Sequence, residues 1–220
     1  MARGTHPQVH ALSEFAAKAL LRSYGVPCVA EALAATTEEA VGAARVLGFP
    51  VAVKGCGSGL LHKTDLGLVE LGLGSAGMVR QAAARLLDRM NGRGTLLVQQ
   101  MVSGAREFMI GMARDSQFGP VVSFGLGGVF AEVLADVALR VAPFDACEAE
   151  AMLGEIRARR LLGEVRGLPA VDRTALVRTV LGIGRLAIER PDIREIDINP
   201  LVVTGASPIA VDALVMVEGT

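Results

Sequence analysis

Three features of the 220-residue sequence predict a mixed α/β (α+β) fold of two lobes with a cleft between them. Short apolar runs of strand length alternate with helical segments along the chain. The alternation falls into two halves, each with helices against a sheet, meeting near residues 99–104, so the expected lobes are 1–98 and 99–220. With 51% hydrophobic residues, the chain can bury roughly 70% of the surface its unfolded form exposes. Ligand sites favour clefts between such lobes.

Each element follows from local signals. In SEFAAKALLRSY, Ser13 is placed to cap a helix whose apolar residues recur at Phe15, Ala19 and Leu20, and Gly25 and Pro27 end it. In TTEEAVGAARVLG, Thr36 and Glu39 form a capping box, and Gly48 stands where a helix ends in the left-handed conformation. PVAVK is a short buried strand, GLVEL is extended, SAGMVRQAAARLLDRM is an amphipathic helix, and GTLLVQQMV has the apolar run of a central strand. REFMIGMAR and PVVSFGLGG, joined by the turn DSQFG, form a hairpin. Asp145 and Glu148 start a helix expected to run to about Arg160, and DRTALVRTVLGIGRLAIE is a longer one. IREIDINPLVVTG and PIAVDALVMV are expected as two strands joined at residues 205–208.

Composition narrows the function classes. Lys and Arg total 22 against 23 Asp and Glu, scattered along the chain, so the electrostatic footprint that nucleic acid demands is missing. One Tyr and no Trp leave few stacking platforms for single strands. Cys28, Cys56 and Cys147 are odd in number and widely spaced, as expected for reduced thiols rather than a disulfide framework or zinc site. No apolar leader opens the sequence, and no segment of about 18 residues runs free of charges or breakers. A cytoplasmic protein with no membrane or nucleic-acid partner is expected.

Three polar clusters stand out. In KGCGSGLLHKTDLGLVEL, glycines let backbone N–H groups converge on an anion, Lys54 supplies a compact positive charge, and His62 offers an imidazole able to attack phosphorus. The P-loop spacing is absent, and a glycine-rich turn with a loop histidine is the plainer reading. In FGLGGVFAEVLADVALRVAPF, three glycines at a strand end precede Glu132, Asp136 and Arg140, whose four-residue spacing fits one helical face, although VALRVAP is equally compatible with a strand. Arg140 suits bidentate phosphate binding, and a solvated face is the competing reading. In EIDINPL, Glu195, Asp197 and Asn199 share one face of a strand, and Asp212 on the next strand is placed to face them. Such oxygens at a cleft make a half-shell for Mg²⁺.

In combination, the lysine-ended strand, LLHKTD, VQQMV, FGPVVSFGLGG with RVAPF downstream, EIDINPL and VDA resemble the ATP-grasp β subunit of nucleoside-diphosphate-forming acyl-CoA synthetases. These are the ADP-forming acetyl-CoA synthetase group, related to succinyl-CoA synthetase. The resemblance covers residues 12–217 and implies an ATP-grasp fold with ATP/ADP and Mg²⁺ in the cleft. It implies that Lys54 contacts phosphates, that Gln99, Gln100, Met101 and Val102 form the hinge lining the adenine pocket, and that Glu107 sits near the ribose or adenine edge. Asn199 and Asp212 would hold Mg²⁺, with Asp197 nearby and Glu195 a weaker candidate. His62 would pass a phosphoryl group between the nucleotide and a phosphohistidine on a CoA-binding α-type partner subunit. The chain departs from the family where Gly67-Leu68-Val69 replaces Gly-Gly-Val and where Gly-Ser-Gly replaces Ser-Pro. A stand-alone ATP-grasp carboxylate ligase and a non-catalytic nucleotide-binding regulatory module are the alternatives.

Overall fold

Side-chain caps set where the helices begin. The computed structural model describes residues 9–57, 63, 66–128 and 134–219. Ser13 accepts from the Ala16 N–H at the start of α1 (Glu14–Ser23), Thr36 from Glu39 in α2 (Thr37–Leu47), and Ser75 from Met78 in α3 (Ala76–Met90). Asp145 and Asp172 do the same for α4 (Ala146–Glu155) and α5 (Arg173–Glu189). The helix expected to reach Arg160 stops at Glu155 and continues as a separate 3-10 helix, Arg157–Leu162, onto whose first N–H groups the Asp136 carboxylate folds. Gly48 has a positive φ of 82° but an extended ψ of 144°, so the chain leaves α2 without the left-handed turn expected there.

The strands form two antiparallel sheets. The smaller has the order β2 (Glu31–Ala34), β5 (Thr95–Gln100), β3 (Val51–Cys56), β4 (Val69–Leu73). The larger has the order β1 (Val9–Ala11), β11 (Leu214–Glu218), β9 (Ile193–Thr204), β6 (Arg106–Asp115), β7 (Gly119–Leu126), β8 (Val137–Val141), with β10 (Ser207–Ala210) paired to β9. The expected hairpin is β6–β7, in register from Phe108↔Leu126 to Asp115↔Gly119. VALRV is strand β8, not helix, so Asp136 and Arg140 do not share a helical face. The expected last strand is divided: β10 and β11 are separate, and Asp212 lies in the connection between them.

One face of the larger sheet carries the main core. Phe108 and Phe124 stack across β6 and β7 with ring centroids 5.5 Å apart, and Ile196 and Ile198 of β9 lie on the same side. Against them pack Met152 and Leu153 of α4, Val180, Ile183 and Leu186 of α5, and Ala17 and Leu21 of α1. A second core joins α2 and α3 to the smaller sheet through Val41, Ala44 and Leu86 on the helices and Val51, Val53, Leu96 and Val98 on the strands. The expected boundary between 98 and 99 falls inside β5. The first strand and helix also belong with the larger sheet, because β1 pairs with β11 and α1 buries its apolar residues in the main core.

The buried stripe of α1 is not the expected Phe15, Ala19 and Leu20 but Glu14, Ala17, Lys18 and Leu21. The two charged members tie the sheets together. Lys18, with no exposed surface, donates to Glu14 Oε1 (2.9 Å), Gln99 Oε1 on β5 (2.9 Å) and Val211 O (3.2 Å), and pairs with Glu31 on β2. Glu31 also takes Arg22 at 2.9 Å. Glu14 receives Lys54 Nζ from β3 at 2.7 Å and Lys63 Nζ. Burial alone would push the Glu14 carboxyl up. The charges of Lys54, Lys18 and Lys63, with the hydrogen bond from Lys54, outweigh it and bring the pKa down to about 2.

Two stability tests follow from this packing. A Cβ on Gly182 of α5 would stand 2.3 Å from the Tyr24 carbonyl oxygen just after α1, whereas Gly42 in α2 has open space around it. Gly182→Ala should cost about 1–3 kcal/mol in urea denaturation, and Gly42→Ala should add up to about 1 kcal/mol. The second test concerns Glu14, whose folded pKa lies below the ordinary value. It contributes stability that is present above about pH 4.5 and lost as pH falls towards 2, at most about 3 kcal/mol. The stability gap between the native protein and Glu14→Gln should therefore shrink between about pH 6 and pH 3. An equal gap at both would contradict the assignment.

Candidate functional site

The cleft between the two sheets encloses a cavity of about 620 Å³, and strand alternation decides which side chains enter it. On β3, Val51 and Val53 face the helices, so Ala52 and Lys54 face the cavity. On β5, Gln99 pairs with Ala52 and lines the cavity. Gln100 pairs with Val51, so its side chain takes the opposite face and is exposed. The structure therefore puts Gln99, not Gln100, at the site. Met101 and Val102, where β5 ends, line the cavity beside it.

The larger sheet supplies the opposite wall. Ile196 and Ile198 point into the main core, which sends Asp197 and Asn199 to the cleft face, with Glu107 of β6 beside them. Asp212 joins from the connection before β11. Its Oδ1 accepts from the Ala213 N–H at 2.8 Å, and its Oδ2 lies 4.0 Å from Lys54 Nζ. Asn199 Oδ1 accepts from the Gly128 N–H at 3.0 Å, which fixes the amide and leaves a second lone pair. Gly128 has a φ of +63°, a left-handed conformation that favours glycine. The second glycine cluster thus serves the site through its backbone.

Lys54 is 6% exposed, and its ammonium sits at the junction of both walls. Asp197 is pushed up from the ordinary carboxylate range, first by burial and then by the nearby charges of Glu195 and Asp212. Concentrated negative charge of this kind favours a cation. Among the described residues, no group of three His, Cys, Asp or Glu side chains is arranged to hold a metal by itself. That donor set fits Mg²⁺, which is commonly held by one or two carboxylates with water and substrate phosphates completing its shell. Glu195 is exposed further along the same face, outside the cavity.

Arg140 is not brought to the site. It pairs across β8 with Val122, whose side chain is in the main core, so it points to the helix-covered side of the sheet. There its guanidinium is held by Glu148 (2.7 Å) and Glu155 (2.9 Å), which satisfy the charge. His62, Asp65 and Glu132 lie outside the described residues. The residues that sequence reasoning missed are Glu14, Lys18 and Gln99's partnership with them. The signal was available, because Glu14, Ala17, Lys18 and Leu21 fall at i, i+3, i+4 and i+7, which puts two charges on a core-facing stripe.

Among the described residues, no helix is long and apolar enough to cross a membrane. The family model described as ATP-grasp domain matches residues 5–217. The β subunit of ADP-forming acetate–CoA ligase I of Pyrococcus furiosus is 38% identical over 208 residues, spanning 92% of this chain and 90% of that subunit. A trans-feruloyl-CoA synthase from an unidentified prokaryote is 39% identical over 213 residues, which amount to 93% of this chain but 30% of that longer protein. Among solved structures, the dinucleotide-forming acetyl-CoA synthetase 1 of Candidatus Korarchaeum cryptofilum superposes with a TM-score of 0.84 at 38% identity, covering 94% of this chain and 93% of that one. It was solved with coenzyme A and Mg-AMPPCP, its phosphohistidine segment pointing towards the nucleotide-binding site. With the family model spanning nearly the whole sequence and a β subunit of similar extent aligned along it, the chain belongs to the ATP-grasp family, in the group formed by the β subunits of ADP-forming acyl-CoA synthetases.

Proposed function

We propose that this chain is the ATP-grasp subunit of an ADP-forming acyl-CoA synthetase. The observation that carries the reading is the single cavity lined by Lys54, Glu107, Met101, Val102, Asp197, Asn199 and Asp212. Lys54 comes from the smaller sheet and the carboxylate–amide group from the larger, and they meet at the junction where Lys54 Nζ lies 4.0 Å from Asp212 Oδ2, which puts positive charge for phosphates beside oxygen ligands for their cation. Met101 and Val102 would flank the adenine where the chain crosses between sheets, and Glu107 would meet its edge or the ribose. Asp197, Asn199 and Asp212 would hold Mg²⁺, which would supply charge neutralisation on the phosphates.

The chemistry we assign is reversible phosphoryl transfer. An imidazole nitrogen of His62 takes the terminal phosphoryl group, the bond from phosphorus to the bridging oxygen breaks, and ADP leaves. In the full cycle the phosphoryl group moves between His62 and a histidine on a partner subunit, which carries the acyl and CoA steps. The partner would be a CoA-binding α-type subunit, in keeping with the β-subunit relative. We place the assembly in the cytoplasm. A stand-alone carboxylate ligase needs no such relay, and a regulatory module needs no transfer at all.

Calorimetry tests the site. Mg-ATP should bind, and EDTA should weaken the binding. Asn199→Ala with Asp212→Ala should lower Mg-ATP affinity about tenfold or more, since the oxygens that neutralise the cation are gone. Lys54→Ala should weaken nucleotide with or without metal, whereas Arg140→Ala should leave affinity unchanged. Normal Mg-ATP binding by the Asn199/Asp212 double variant would remove the metal assignment.

A further inference from the structure

We propose that Glu14 is a positioning residue for the phosphate end of the cleft. Its carboxylate holds the Lys54 and Lys63 ammoniums side by side, so that their remaining N–H groups converge on one anion. The proposal deepens the nucleotide reading and rests on it.

The geometry has three parts. The anchor is fixed: Glu14 is on the first turn of α1, its side chain is 1% exposed, and Oε1 accepts from Lys18 at 2.9 Å. Lys18 is fixed in turn by Gln99 on β5 and the Val211 carbonyl, so the carboxylate cannot follow the lysines if they move. The two arms come from elsewhere. Lys54 reaches Oε1 from β3 at 2.7 Å, and Lys63 reaches Oε2 from the segment after it. Both arms line the cavity.

Donor counting separates the roles. An ammonium has three N–H groups. Lys18 directs all three into protein, at Glu14, Gln99 and Val211. Among the described residues, Lys54 makes one hydrogen bond, to Glu14; Asp212 at 4.0 Å is an ionic neighbour only. Lys63 likewise donates to Glu14. Among the described residues, both therefore have N–H groups not directed into protein, which we assign to phosphate oxygens, while Lys18 is a structural brace.

The charge balance also agrees. Four cations, Lys18, Arg22, Lys54 and Lys63, meet three carboxylates in one connected group, the buried Glu14 and Glu31 and the half-exposed Asp212. The cluster keeps a positive surplus even with Glu14 in place, so the carboxylate gathers the lysines without cancelling their attraction for an anion. Without it, Lys54 and Lys63 repel each other and the brace, and the less buried arm, Lys63, is released from the anchor. Glu14 thus acts through the lysines and itself touches no phosphate.

The test is calorimetry on the intact chain with two probes, Mg-ADP and adenosine. Glu14→Gln should weaken Mg-ADP about tenfold or more while adenosine stays within about twofold, because only phosphates read the lysines. Lys63→Met should weaken Mg-ADP in the same selective way, and adding Glu14→Gln to it should cost less than it does in the native background. Equal loss for both probes means that Glu14 only supports the fold, and overturns the proposal. Unchanged or tighter Mg-ADP binding means that the carboxylate competes with phosphate, and also overturns it. Should Glu14→Gln fail to fold, native-like Mg-ADP binding by Lys63→Met overturns it instead. A native chain that binds no Mg-ADP would remove the nucleotide reading itself, a different result from selective insensitivity of the variants.

Discussion

Four charged side chains that the two sheets share, Glu14, Lys18, Glu31 and Lys54, set the constraint on which the cleft depends. A lysine with no solvent exposure is tolerated only if its charge is matched and its donors are used, and Lys18 meets both conditions by drawing on α1, β2, β5 and the segment before β11 at once. That requirement fixes where the smaller sheet stands against the larger one. It also places Lys54, whose only described hydrogen bond is to the same carboxylate. Apolar residues could close this junction with no loss of stability, but they could not leave ammonium groups facing the cavity. The charged junction makes sense where positive charge must be held in place beside an open cleft.

The opposite wall follows from alternation on β9. Isoleucines at 193, 196 and 198 satisfy the main core, so the intervening oxygens have only the cleft to face. Asp197 is raised by its burial among other carboxylates, an arrangement that a divalent cation relieves. Gly128, at a φ of +63°, completes the wall by directing its N–H to Asn199. Ammonium groups and oxygen ligands brought together where the two sheets meet give the cleft its mixed polarity, with Lys54 Nζ 4.0 Å from Asp212 Oδ2.

Much of this was legible in the sequence. Among the described residues five helix starts carry capping side chains; Ser13, Thr36 and Asp145 were legible as caps, and Ser75 and Asp172 are added by the structure. EIDINPL and the lysine-ended strand read correctly because period two leaves few choices for a polar residue between buried isoleucines or valines. What was not legible was register and parity at element ends. Gln99 and Gln100 are identical in type, and only the pairing of β5 with β3 decides which enters the cavity. Arg140 has the right chemistry for phosphate, but one residue of alternation sends it to Glu148 and Glu155 instead. The short β1 and β2 lack the length for a period to show, and β1 finds its place only through β11 at the far end of the chain. Glu14 and Lys18 were visible as a pair on a core-facing stripe, but their meaning needed the partners from β2, β3 and β5.

In the function we propose, the chain does not merely bind nucleotide but takes a phosphoryl group on His62. The most direct measurement is transfer of label from γ-labelled ATP to the protein in the presence of Mg²⁺, alone and with a CoA-binding partner subunit. The label should survive base and be lost in acid, because a phosphoramidate is protonated at nitrogen and then expelled. His62→Ala should abolish both the label on this chain and coupled acyl-CoA formation while Mg-ADP still binds. Full coupled turnover by His62→Ala would contradict the relay and leave direct transfer from ATP to the partner as the better account.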